Sequence, residues 1–555
     1  MSNPQAILPG AANEKLFFGH PRGLFLLFMV EMWERFSYYG MRAMLTYYLV
    51  QSATGDPKNG GFNPGRGLSD PDAASLYGSY TGMVFLTPIL GGMIADHFIG
   101  THRSMLVGGV LIALGHVVLG ISGIGDMAHN DLGMSVFVTG LALIVIGTGH
   151  FKPNVSVMVS HLYPQNDPRR DGAFTIFYMG INLGALLGIL LCSWLGEKIG
   201  WHWGFGSAAV GMIIGLIIYT IFKQSWLGNI DAAPRTGANK SATLFLIGGI
   251  VLAGVVGVLF HTGSFASMGQ AVDRVIEWTG ASVKVIYAMV ALLVLLWAAR
   301  FVWKQEPAYR APTASILIFV VFNAVFWTAF EQAGSSMSIF ALKHTERHVL
   351  GWEVPVGWFQ SMNPAMIILF GPLFALMWTK LGQRKLDPSQ PMKIAIALFL
   401  GAVGFIFMVI GGMGTVGTSG VQALPEGTAS TGSALSSVKV SMFWLLAAYS
   451  FHTWAELCIS PTGLAFVTRA AAVKYVSFLM GIYFLSSAIA GKVAGMLAAS
   501  AGDIEKGKID LPWYPWFKLG GQGDFYFIFV VGLFGVGLIV LALTPLLKRL
   551  IKNVK

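Results

Sequence analysis

Four ionisable residues stand inside an otherwise apolar run near the start of the chain. Glu31, Glu34, Arg35 and Arg42 are spaced by three, four and seven residues. Those intervals put them on one helical face. Tyr38 and Tyr39 lie on or beside that stripe. Lys152, Glu331, Glu456 and Lys492 are further single charges in apolar surroundings. An ionisable group inside a bilayer costs several kcal/mol and is functional by default. Leaving Lys492 aside, four carboxylates face three cations. Such a set can neutralise itself when closed and offer both signs when open. That chemistry suits recognition of a zwitterion. A sugar would call for amides and hydroxyls, and a simple anion for cations without partnering glutamates. A structural ion-pair network is the competing reading. For Lys492, near the end of its segment, snorkelling to water is the simpler account.

Two of the charges come with a proline. Pro153 follows Lys152 and frees the carbonyl of Gly149. Pro461 follows Ser460, four residues after Glu456. One carries a cation and the other an anion, and they occupy equivalent places in two halves of the chain. Two poles across a pseudo-symmetric cavity form a cradle for a dipolar ligand.

Other chemistries lack their residues. His116, His150 and His452 are scattered and read as helix histidines with satisfied hydrogen bonds rather than proton relays. Cys192 and Cys458 read as small buried hydrophobes, with no metal-ligand spacing. Gly-rich 415–435 has no phosphate-loop pattern, which removes an ATPase. No nucleophile with a base is visible, so the chain is not expected to be an enzyme, and no cofactor or metal is implied.

The elements that must position these charges are membrane helices. The chain of 555 residues is 55% hydrophobic and 11% charged. A soluble protein of this size needs a charged skin that this one lacks. The first 22 residues are mostly polar, without a signal-peptide pattern. With about 20 apolar residues per span, segments fall near 23–50, 73–97, 103–123, 134–161, 171–195, 203–223, 242–261, 281–302, 313–340, 357–381, 391–414, 440–468, 474–499 and 524–548, fourteen in all. Of the 36 Lys and Arg, roughly 21 fall on the side of the termini, roughly 10 opposite and about 5 within helices. The positive-inside rule then makes both termini cytoplasmic, and this asymmetry accounts for most of the net charge of +10 without invoking nucleic acid. Loops 51–70 and 415–437 lie on the other side. Trp513, Tyr514 and Trp516 read as part of an aromatic belt. Segments seven and eight lack interior charge and look like a hairpin inserted between two six-helix halves. The expected fold is therefore all-α and polytopic, with a bundle over 1–223, a linker with the hairpin over 224–312, and a second bundle over 313–555. Gly180, Gly184 and Gly188 are four apart, which predicts close helix packing.

Glu31-Met32-Trp33-Glu34-Arg35-Phe36 followed by Tyr38-Tyr39-Gly40 resembles the ExxERFxYYG signature of the proton-dependent oligopeptide transporters, a family of the major facilitator superfamily. Phe177 to Gly184 resembles its FYxxINxG motif, and Gly147-Thr148-Gly149 with Lys152-Pro153-Asn154 its GTGxxKPN segment. Trp327 to Gln332, Gln360 to Pro364, and Glu456 to Leu464 complete a resemblance that runs from about 23 to 548. It implies a proton-coupled symporter importing di- and tripeptides by alternating access. The chain would be a monomer in the lipid bilayer of the cell inner membrane, with protons as the coupling ion. The same fold carrying nitrate or another small metabolite, or acting as a non-transporting peptide sensor, is the alternative. By resemblance Arg35, Arg42 and Lys152 face the peptide carboxylate, and Glu456 faces its amino terminus. Asn182 and Asn363 hold the peptide backbone. Tyr38, Tyr39, Tyr178 and Trp327 line side-chain pockets, and Ser460 and Tyr483 belong to the peptide site. Glu31, Glu34 and Arg35 take part in proton coupling. Lys152 and Glu331 form an ion pair that breaks and reforms. Phe85 stands where the family commonly has tyrosine, and Tyr483 where it has tryptophan. The segment from Gly91 to Arg103 resembles the superfamily's motif between helices two and three, with His97 where arginine is usual.

Overall fold

The structure is a computed structural model. It describes residues 16–55, 63–164, 167, 169–228, 241–279, 283–415 and 439–550. Nearly all of the expected loop over 415–437, and the side chains of 461–465, lie outside the described residues.

Long apolar runs, punctuated by caps and glycines, become helices. The first half holds α1 (Arg22–Val50), α2 (Asp70–Ile94), α3 (Thr101–Ser122), α4 (Asp131–His161), α5 (Arg169–Lys198) and α6 (Trp201–Trp226). Ser69 caps α2 by accepting from the Asp72 amide, and Asn130 caps α4 by accepting from Gly133 at 2.7 Å. The Gly91–Arg103 segment ends α2 in a π-helical turn, Ala95–Ile99. Gly100, at φ 78°, then supplies the left-handed residue that lets α3 begin.

The insertion is α7 (Ala242–His261), α8 (Ser264–Thr279) and α9 (Val283–Trp303). It straddles the halves. Gly249 and Gly257 of α7 pack on Leu111 and Thr139 of the first half. Phe301 of α9 meets Tyr475 and Phe478 of the second half. The helix α8 was not expected: its 16 residues are too short and too mixed for a span.

The second half holds α10 (Pro307–Phe330), α11 (Ser336–Lys343), α12 (Met362–Gln383), α13 (Gln390–Met413), α14 (Phe443–Ala470), α15 (Val476–Ala499), α16 (Ala501–Glu505) and α17 (Gly523–Leu550). Glu331 sits where α10 gives way to a 3-10 turn, Glu331–Gly334, before α11. Short strand pairs decorate the loops, including Thr345–Glu346 parallel to Val440–Ser441.

Among the described residues, eleven helical runs are long and apolar enough to cross a membrane. The expected count was fourteen. The other three long helices are α1, which carries the four charges, α9, whose apolar stretch is shorter, and α14. We call the end where α1 starts and α17 finishes the terminal end, and the other the distal end.

Each half has its own core. Tyr48, Phe137, Trp201 and Phe205 centre the first, and Phe319, Phe326, Phe405, Tyr526 and Phe529 the second. The four-residue glycine spacing does what it predicts: a Cβ at Gly184 would stand 2.1 Å from the Met32 carbonyl, and one at Gly188 2.2 Å from that of Phe36. Their absence lets α5 lie directly against α1 and fixes the charged face of α1. Across the halves, α2 meets α15 equally closely: a Cβ at Gly78 would lie 2.7 Å from the Gly495 Cα.

Candidate substrate cavity

Between the halves lies a cavity of about 720 Å³, counting the solvent space it opens to. Helices α1 and α5 supply one wall, with Tyr39, Arg42, Tyr178, Asn182 and Ile189. The second half supplies Phe330, Gln360, Asn363, Tyr449, Thr453 and Glu456. Six expected site residues therefore meet here: Tyr39, Arg42, Tyr178, Asn182, Asn363 and Glu456.

The two poles are built differently. Glu456, 8% exposed, accepts a hydrogen bond from Asn363 Nδ2 at 2.7 Å, and the same amide reaches Thr453 Oγ1 at 3.2 Å. Asn363 stands in the first turn of α12, so the second half orients its own carboxylate. At the other pole, Arg42 pairs with Glu331 across the halves. Arg42 Nε donates to Tyr77 Oη at 2.6 Å, and Thr46 Oγ1 donates to the Gly334 carbonyl at 2.5 Å. These contacts clamp α1 to the 3-10 turn that carries Glu331.

Arg35 serves a separate cluster. It contacts Glu31 at 3.0 Å and Glu34 still more closely, all three buried. Its guanidinium lies 5.3 Å from the Tyr38 ring centroid. Tyr38 is buried and faces Tyr80 rather than the cavity.

The expected Lys152–Glu331 pair is not made in this state. Closure of the distal end seats the 3-10 turn against α1, so Arg42 takes the Glu331 carboxylate. Lys152 Nζ rests 4.3 Å from the Phe85 ring centroid instead. Trp327 sits behind the cavity wall, against Phe330 at 5.0 Å. Tyr483 stacks on Phe319 within the second core, at 6.1 Å. Ser460 lies one turn beyond Glu456 on α14, outside the cavity lining. Lys492 Nζ donates to Ser79 Oγ of α2 at 2.8 Å. Of the histidines, His150 meets Ser104 at 3.0 Å, whereas the ring nitrogens of buried His116 have no protein partner.

Several contributors were missed, among them Gln360, Tyr449, Thr453 and Tyr77. Tyr449 and Thr453 precede Glu456 by seven and three residues, a same-face spacing on α14 that could have found them. Tyr77 has no such signal; its role depends on where α2 crosses α1.

The distal end is shut. Lys343 and Asp70 pair at 2.6 Å, Trp358 Nε1 donates to the Leu190 carbonyl at 2.9 Å, and Glu197 accepts from the Val356 and Gly357 amides. Towards the terminal end, Tyr178 of the cavity wall is 36% exposed.

Two helical halves enclosing a central cavity with opposed charges define a multi-pass transporter of the major facilitator type. Comparison with known proteins agrees. The model of the POT family matches residues 102–516. The peptide transporter YePEPT of Yersinia enterocolitica is 34% identical over 500 residues, covering 90% of each chain. A di-/tripeptide transporter of Lactococcus lactis is 31% identical over 561 residues, covering 98% of this chain and 99% of that one. A crystal structure of a peptide transporter POT in complex with sulfate superposes with a TM-score of 0.72 at 31% identity, covering 97% of both chains. The chain belongs to the POT family.

Proposed function

We propose that this protein carries di- and tripeptides across the cell inner membrane together with protons, as a monomer with both termini in the cytoplasm. One observation carries the reading: a single cavity is lined by a cation of the first half, Arg42, and an anion of the second, Glu456. A short peptide has one charge of each sign at its ends, separated by a backbone that Asn182 and Asn363 can bind. Arg42, with Arg35 and Lys152 behind it, takes the carboxylate; Glu456 takes the ammonium. Tyr39 and Tyr178 face the side chains.

Charge balance supplies the proton. Glu31, Glu34, Glu331 and Glu456 outnumber Arg35, Arg42 and Lys152 by one. A zwitterionic peptide adds no net charge, and a low-dielectric interior penalises the excess. One proton on the carboxylate set brings the loaded site to neutrality. A peptide carboxylate that draws Arg42 from Glu331 also loosens the clamp between α1 and the 3-10 turn. Loading and gating are thus linked through one arginine, and linkage makes proton and peptide favour each other's binding. The conformation here, closed distally, is the one that releases cargo to the terminal side. Names of the relatives support peptide over nitrate, and Glu456 would repel a simple anion.

The test is uptake of labelled dialanine into liposomes holding the purified protein, under an inward proton gradient later collapsed with an uncoupler. Accumulation lost with the gradient, and competed by dipeptides but not by amino acids or nitrate, is the expected result. Dipeptide binding without uptake would mark a sensor, and the absence of both binding and uptake would overturn the peptide assignment.

A further inference from the structure

The distal closure contains a contact that differs in kind from the ion pairs around it. Near the end of α5, Glu197 turns both carboxylate oxygens onto the other half of the molecule. Oε2 accepts from the Val356 amide at 2.8 Å and Oε1 from the Gly357 amide at 3.0 Å. These two amides open the 3-10 turn Val356–Ser361 that leads into α12. The first amides of a helical segment have no partner within it. Here the partner comes from the opposite half, and hydrogen bonds to an ionised acceptor are the stronger kind.

The surroundings are shaped for this contact. A Cβ at Gly357 would stand 2.1 Å from Ser193 Oγ, one turn before Glu197, so only glycine lets the turn lie flat on α5. Asn63 Nδ2 donates to the Gly196 carbonyl at 2.7 Å and its Oδ1 accepts from the Trp201 amide at 2.9 Å, which fixes the end of α5. The charged groups facing this seam are Arg347, Lys198 and Glu353. Glu353 accepts from both cations, at 2.6 and 3.1 Å, so they are occupied with one another and leave Glu197 to the backbone.

We propose that Glu197 locks the distal end of the cavity, and that distal opening requires its carboxylate to leave the Val356 and Gly357 amides. Glu197 lies outside the substrate cavity and is a positioning residue. The inference rests on the alternating-access reading but not on the identity of the cargo.

The test measures spin-label distances in lipid nanodiscs without substrate. One pair sits at the distal end on exposed Ile124 and Leu350, another at the terminal end on exposed Ile221 and Leu386. Glu197→Gln and Glu197→Ala should each raise the distal-open to distal-closed ratio by about tenfold or more, the equivalent of one charged hydrogen bond. The terminal pair should shorten in step. Lys198→Ala, which removes a half-exposed pair across the same seam, should change the ratio less than about twofold. Should the alanine variant fail to fold, the glutamine variant decides. Unchanged distances in folded Glu197 variants overturn the proposal, as does an equal shift in Lys198→Ala. These distances need no peptide, so a failure of dialanine uptake leaves this result standing, and the reverse.

Discussion

Arg42 and Glu331 meet across the two halves, at the point where α10 breaks into a 3-10 turn. Both are buried, so the pair has little water to fall back on. Removing one partner of a buried pair typically costs about 3–5 kcal/mol, because the other is left charged and alone. Glu331→Gln should lower thermal stability by several degrees and abolish proton-driven accumulation. Differential scanning fluorimetry and liposome uptake check the two effects separately.

The Asn363–Glu456 pole should be read by the ligand's ammonium alone. Glu456→Gln is expected to weaken dialanine binding about tenfold or more, the scale of one charged hydrogen bond. Binding of N-acetyl-dialanine, which lacks the positive end, should be weak in both proteins and nearly equal. Equal losses for both ligands would place Glu456 elsewhere in the mechanism.

Glu31 shares Arg35 with Glu34 and lies apart from the cavity lining. Glu31→Gln should therefore lose proton-driven uptake while keeping peptide counterflow. Proton-driven accumulation surviving in that variant would remove Glu31 from the coupling set.

The α1–α5 contact has no room for a methyl group. Gly188→Ala would force a Cβ to within 2.2 Å of the Phe36 carbonyl. Overpacking of this sort costs about 1–3 kcal/mol. Gly206→Ala, with nothing within 4 Å of the added carbon, should be close to neutral. Paired melting curves test the contrast.

Glu353 titrates outside the spans. Burial raises its pKa, but Arg347 and Lys198 outweigh that and hold the carboxyl below its ordinary 4.5. A depressed folded-state value contributes stability that is present above pH 4.5 and fades as pH falls through the folded value. The side chain is 36% exposed, so solvent limits the effect to about 1 kcal/mol or less. Wild type should melt slightly above Glu353→Gln at pH 7, and the two should converge in acid.

Much of this was legible in the sequence because membrane physics makes it so. A charge inside an apolar run announces itself, and Glu31, Arg42 and Glu456 needed no structure to be singled out. Helical spacing put the first cluster on one face, and small residues four apart marked α5 as a closely packed helix without naming its partner. What stayed hidden depends on where elements cross. Tyr77 is an ordinary helix tyrosine until α2 brings it to Arg42. Glu197 reads as a polar helix end until the 3-10 turn Val356–Ser361 packs against it. Lys152 shows the third kind of difficulty: a lone cation in an apolar run does not say which group it faces, and here it rests on the Phe85 ring while Arg42 holds Glu331. The sixteen residues of α8 lacked the length by which spans are found.

The glycine contact between α2 and α15 bears on how cargo can travel. Gly78 and Gly495 bring two backbones together with no side chain between them, and Lys492 reaches across the same flank to Ser79. Where the two backbones touch, no acyl chain fits between them. A greasy molecule dissolved in the surrounding membrane cannot slip in sideways at that level, which leaves the long axis of the bundle, open to water, as the direct way past it.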